Sequence, residues 1–154
     1  MSAAGSVERS GCDARLERIA AEAGALARLG GIEFVLSLRL GDSAPFDATG
    51  VGAALHVLLA NALTQTPRGG RIALVGAADA TGIRLELSTA APEEFRGLPD
   101  ARRLVELGCG AATARAVRRA RALLAKDRAR LAYEPGDRER VTIHLAVERT
   151  PVAA

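Results

Sequence analysis

Few side chains in this 154-residue chain are placed to do chemistry. Asn61 stands in the run Leu-His-Val-Leu-Leu-Ala-Asn-Ala-Leu-Thr-Gln-Thr-Pro-Arg-Gly-Gly, from Leu55 to Gly70. A carboxamide near a helix end can hydrogen-bond the fraying turn. Its oxygen is also a hard donor of the kind magnesium takes, but one such ligand suffices only when phosphate oxygens complete the set. Gly108-Cys109-Gly110, followed by Ala111-Ala112-Thr113-Ala114, is a glycine pair ahead of a helical pattern. It either breaks a helix or opens one whose free N–H groups meet phosphate. Arg115, Arg118 and Arg119 share one helix face by their spacing. That face is either solvated, opposite the apolar stripe of Val117, Leu123 and Leu124, or it meets nucleic-acid phosphates or an acidic partner. Cys12 and Cys109 are the only cysteines, and two thiols so far apart make neither a zinc site nor a disulfide framework.

The elements that must position these groups follow from periodicity. Residues 1–12 are small and polar and read as a loose tail. Over 13–29, Leu16, Ile19, Ala23 and Leu26 mark one face of a helix, which Gly30-Gly31 ends because glycine tolerates the left-handed conformation just past a helix. Residues 32–40 alternate as a half-buried strand, with Ile32, Phe34, Leu36, Leu38 and Leu40 on one side. A turn at 41–45 leads to a helix over 49–64, with Asp47 or Thr49 as N-cap and Val51, Leu55, Leu58 and Ala62 inward. Strands at 71–75 and 83–87 form a hairpin, Ile83, Leu85 and Leu87 facing in. Residues 90–99 read as irregular. A short helix is expected over 101–106, then the break at Gly108-Cys109-Gly110, then a long helix from 111 to 126 or beyond. Strands at 131–133 and 141–147 close the pattern around the turn Pro135-Gly136-Asp137. Helix, strand, helix, strand, strand, helix, strand, strand implies an α+β fold. The expected form is a two-layer α/β sandwich with a mixed, mostly antiparallel sheet and helices on one face.

The string Asn-Ala-Leu-Thr-Gln-Thr-Pro-Arg-Gly-Gly after a run of leucines resembles the N-box of the GHKL ATPase superfamily. It is most similar to the ATP-binding domain of bacterial sensor histidine kinases, and the element order agrees over residues 13–148. The resemblance implies that Asn61 would hold the magnesium of bound ATP. It also implies that Thr89 falls near the position of the adenine-binding Asp, and that Gly108 and Gly110, with Thr113 in the same string, would form the phosphate-binding glycine box. Three departures accompany it. Val57 stands one turn before Asn61, where many relatives place a Glu or another polar residue. The stretch after the second hairpin strand, Ser88-Thr89-Ala90-Ala91-Pro92-Glu93-Glu94-Phe95, has no Asp-x-Gly-x-Gly. A hydroxyl at Thr89 lacks the charge that makes an adenine hydrogen bond strong, a loss of about 1.5–3 kcal/mol. Glu93 or Glu94 would have to substitute from the loop. The third glycine of the second box is Ala112, and Lys126-Asp127-Arg128-Ala129-Arg130 replaces the usual His-Gly-Gly.

Composition bounds the rest. Apolar residues make up 49% and charged residues 25%, and no apolar run approaches the ~20 residues of a membrane span. No apolar leader follows Met1, so the expected location is the cytoplasm, without membrane association. Residues 96–140 hold twelve basic and six acidic side chains, whereas the remainder is acidic in balance. Aromatics are 3%, and the absence of stacking platforms and of a reading motif argues against nucleic acid. Neither His56 nor His144 lies in a pattern resembling a phosphoacceptor hairpin, so autophosphorylation within the chain is not expected. Residues 149–154 read as a C-terminal tail. Two functions follow from the resemblance. One is a degenerate ATPase domain, a pseudokinase of two-component signalling, that docks a signalling protein of response-regulator, kinase or sigma-factor-regulator type, with room for a homodimer. The other is a working Mg-ATP module serving as a kinase subunit on a separate protein, like anti-sigma-factor kinases.

Overall fold

The computed structural model describes residues 11–39, 49–79, 82–90, 92, 99–125, 129–135 and 140–148. It contains α1 (Gly11–Leu29), β1 (Glu33–Arg39), α2 (Thr49–Gln65), β2 (Arg71–Asp79), β3 (Gly82–Ala90), α3 (Pro99–Leu124), β4 (Ala129–Pro135) and β5 (Arg140–Glu148). The strands form one sheet in the order β1-β2-β3-β5-β4. β1 and β2 are parallel and joined through α2, as parallel neighbours require a crossover. Every other pair is antiparallel. α2 packs between α1 and α3, while α1 lies against β1 and α3 against β4. The architecture is the expected two-layer α+β sandwich with helices on one face.

The core lies between these layers. Val51, Leu55 and Leu59 from α2, Leu16 from α1, Leu124 from α3, and Ile72, Leu74 and Leu85 from the hairpin are almost wholly buried. Each such side chain contributes about 1.5–3 kcal/mol relative to exposure. The inward set of β3, Ile83, Leu85 and Leu87, is as the alternation predicts.

Three expectations are corrected. The buried stripe of α1 runs through Leu16, Ala20, Ala23 and Ala27, and Leu26 is 57% exposed. The small alanines let α1 settle closely, and they turn the bulkier Leu26 outward. Leu36 of β1 is likewise exposed; β1 is an edge strand whose outer flank has no neighbouring strand among the described residues. The third correction concerns α3. The short helix, glycine break and second helix are instead one continuous helix, Pro99–Leu124. Glycine costs only about 0.5–1 kcal/mol inside a helix, and Glu106, Leu107, Ala111 and Ala112, all strong helix formers, flank this pair. The strands at 71–75, 83–87 and 131–133 are each longer than their apolar alternation suggests. Thr49 opens α2, whereas Asp47, the turn at 41–45 and the tails at 1–10 and 149–154 lie outside the described residues.

Candidate functional site

Two glycine turns set the end of the sheet on which the candidate site is built. α1 ends in a Schellman motif: the Ile32 N–H donates to the Ala27 carbonyl at 2.8 Å, and the Gly31 N–H donates to the Arg28 carbonyl at 3.1 Å. Gly31 takes φ 69°, the left-handed conformation expected of it. The turn after α2 locks onto this one. The Gly69 N–H donates to the Gly31 carbonyl at 2.8 Å, and the Glu33 N–H donates to the Gly70 carbonyl at 2.9 Å. Gly70 is buried where no side chain fits. A Cβ there would stand 2.5 Å from Thr66 Cγ2 and 2.9 Å from the carbonyl oxygens of Ala90 and Pro67. The Thr-Pro-Arg-Gly-Gly turn thus fixes the C-terminal end of α2 against the end of β3.

Asn61 lies one turn before the end of α2 and is half-buried. Its Nδ2 donates to Thr113 Oγ1 of α3 at 3.2 Å. Thr113 is 3% exposed. Two of the sequence-nominated residues therefore meet across the α2–α3 interface. The last turn of α2 is closed by other groups: the Thr64 hydroxyl donates to the Ala60 carbonyl at 2.9 Å, and the Thr66 N–H donates to the Ala62 carbonyl. Asn61 consequently does not serve as the cap of its own fraying turn. Its carboxamide oxygen keeps no hydrogen-bond partner among the described residues. Val57, one turn earlier, is half-buried and offers no donor or acceptor.

Thr89 lies near the end of β3, in register with Ile72 of β2 and Val141 of β5. Strand alternation puts it on the helix-covered side with Leu85 and Leu87. It makes no hydrogen bond to Asn61 or Thr113 among the described residues.

Gly108 and Gly110 are interior residues of α3, more than two turns (about 3.6 residues each) past Pro99. In an α-helix only the first four N–H groups lack an intrahelical carbonyl. The N–H groups at 108 and 110 are thus engaged by the preceding turn. Glu93, Glu94 and residues 126–128 lie outside the described residues. Among the described residues no group of three or more His, Cys, Asp or Glu could hold a metal ion.

The Asn61–Thr113 contact is the part of the site that sequence reasoning misses. The one available signal is a lone hydroxyl on the apolar side of α3, in line with Val117, Ala120 and Leu124. A polar group at such a position needs a partner. The arginines at 115, 118, 119 and 121 of α3 are exposed, as their spacing implies, and Arg121 Nε donates to the Leu131 carbonyl of β4 at 3.4 Å.

No protein-family model and no curated protein sequence matches the chain. Solved structures do. The catalytic domain of histidine kinase ThkA superposes with a TM-score of 0.59 at 19% identity, over 89% of this chain and 94% of that one. Histidine kinase AdeS of Acinetobacter baumannii gives 0.59 at 15% identity, over 90% of this chain and 65% of its own. A histidine kinase from Burkholderia phymatum gives 0.55 at 18%, over 88% and 68%. At such identities the likeness is one of fold, and the fold of this chain is that of histidine-kinase catalytic domains, the GHKL ATPase type.

Proposed function

We propose that this chain is a protein-docking domain of bacterial signal transduction, derived from a histidine-kinase-type ATPase, in which nucleotide binding is weak or lost. The observation that carries this reading is the continuity of α3 through Gly108 and Gly110. A glycine box holds a triphosphate by offering N–H groups that a helix has not used, and here the helix has used them. Three further features support it. Thr89 is uncharged, Val57 cannot assist hydrolysis, and the Asn61 amide is engaged by Thr113. The described residues therefore do not fit a Mg-ATP cradle, and no catalytic step is assigned to them. A response regulator, a kinase or a sigma-factor regulator is the proposed kind of partner, in the cytoplasm, and self-association as a homodimer is compatible with this role.

One observation favours a second reading. Among the described residues nothing donates to the Asn61 oxygen, so a magnesium ion brought with ATP phosphates would find one protein ligand there. The domain would then be an ATP-binding kinase subunit acting on a separate protein. Calorimetric titration with a non-hydrolysable ATP analogue, with and without magnesium, separates the two. The docking reading expects no binding tighter than about 100 µM, or −5.5 kcal/mol. Tighter binding that requires magnesium and is lost in Asn61→Ala overturns it in favour of the kinase subunit.

A further inference from the structure

The outward face of α3 has a composition that folding does not account for. Every exposed position from 111 to 124 is either arginine or alanine, the arginines being Arg115, Arg118, Arg119 and Arg121. No acidic residue occurs between Glu106 and Asp127. The opposite face is committed, since Thr113, Val117, Ala120 and Leu124 are buried and α3 packs on α2. Arg115 and Arg119 are four residues apart, and Arg115–Arg118 and Arg118–Arg121 are three apart. Like charges at these spacings weaken a helix. Arg121 is partly relieved by its bond to Leu131. Arg115, Arg118 and Arg119 have no ion pair or hydrogen bond among the described residues. α1 is built differently: Arg15 and Arg18 there are interleaved with Glu17 and Glu22, so opposite charges alternate along its exposed side.

Three guanidinium groups without a partner among the described residues lie within about 6 Å of helix rise and form a dense positive surface. Between them stand only methyl groups. Small side chains allow a second helix to approach to the short end of the usual 8–10 Å interaxial range. A nucleic acid would use the arginines alone, whereas an acidic helix uses both features. Its carboxylates accept paired N–H bonds from guanidinium groups, and its backbone packs over the alanines.

We infer that the exposed face of α3 docks an acidic helix of a partner protein, with carboxylates at i, i+3 and i+4 meeting Arg115, Arg118 and Arg119. The inference rests on the reading of the chain as a docking domain and names the surface and the chemistry of its partner. The test uses the full chain and fluorescence anisotropy with three probes. The first is a labelled, helix-stabilised Glu/Ala peptide with glutamates at i, i+3 and i+4. The second has the same composition with glutamates spread around the helix, and the third is a short DNA duplex. The patterned peptide should bind at least about tenfold more tightly than either control, and Arg118→Glu should weaken it about tenfold or more. Arg118→Lys, which keeps the charge and loses the planar fork, should fall between. An unshifted melting temperature in both variants excludes misfolding as the cause. Equal affinity for the two peptides, tighter binding of DNA, no binding of the patterned peptide at 1 mM (about −4.1 kcal/mol), or unchanged affinity in Arg118→Glu each overturns the inference. Magnesium-dependent nucleotide binding would overturn the docking function and leave the peptide result to stand by itself.

Discussion

The two glycine pairs associated with the candidate site, Gly69-Gly70 and Gly108/Gly110, have opposite fates. The first remains a turn. Gly69 takes φ 85°, its N–H reaches the α1 turn, and Gly70 is packed so tightly that only hydrogen fits at its α-carbon. The second pair is absorbed into the interior of a 26-residue helix. Gly69-Gly70 is surrounded by Thr66, Pro67, Ala90 and Pro92, which require a glycine there whatever the chain binds. The α3 pair is flanked by Glu106 and Leu107 on one side and by Ala111 and Ala112 on the other, all strong helix formers. The turn that the fold itself needs keeps its form, while the glycine pair set among helix formers passes into regular structure.

The largest effect expected from this contrast is at Gly70. Gly70→Ala forces a methyl group against Thr66 Cγ2 and two backbone carbonyls that cannot step aside. Overpacking of this kind costs about 2–3 kcal/mol. For a chain of this size that is a drop in melting temperature of roughly 5–10 °C, read by thermal unfolding monitored by circular dichroism. A melting temperature within a degree of the parent would mean that the turn is looser than the contact distances imply, and the contrast with α3 would fail.

The opposite sign is expected at the second pair. Inside a helix, Gly→Ala stabilises by about 0.5–1 kcal/mol per site. Gly108→Ala with Gly110→Ala should therefore raise the urea midpoint, and should leave nucleotide affinity where it began. A lowered midpoint would contradict a continuous helix. Loss of a measurable nucleotide affinity would show that the glycines still serve a phosphate, and would favour the kinase-subunit reading.

A smaller effect separates a structural role for Asn61 from a ligand role. Thr113→Val removes the hydroxyl while nearly conserving shape, and costs about 1 kcal/mol through the lost interhelical bond. Asn61→Ala should cost a similar amount. The double variant should cost clearly less than the sum, because both changes delete the same interaction. Additive losses in the chemical-denaturation midpoints would mean that the α2–α3 contact does not hold the carboxamide.

Legibility in the sequence follows how local each constraint is. The hairpin β2–β3, the Schellman end of α1 and the inward side of α2 are readable because alternation, a Gly-Gly pair and a leucine run act over a few residues. The orientation of α1 is not, because Ala20 and Ala27 bury as effectively as leucines, and apolar periodicity gives small residues little weight. The continuity of α3 is hidden because Gly108-Cys109-Gly110 looks like the glycine box of nucleotide-binding domains, whereas the helix propensity of the residues around it prevails. Asn61 and Thr113 each stand out in the sequence, yet their contact does not: the residues are 52 positions apart, and only the packing of α2 on α3 joins them.

The smallest effect tests how much of the turn region depends on charge rather than on backbone. Arg71 Nε lies 3.8 Å from Glu33 Oε2, with side chains 56% and 66% exposed. The same two strands are already held by parallel pairing, and the Glu33 N–H is bonded to Gly70. An exposed pair at this distance gains little over water and is screened by salt. Arg71→Ala should therefore change stability by no more than about 0.5 kcal/mol, and the difference should vanish in about 1 M salt. A larger loss that persists at high salt would assign to the arginine a packing role against β1, and the rigidity of this end of the sheet would then belong to its side chains as well as to its glycines.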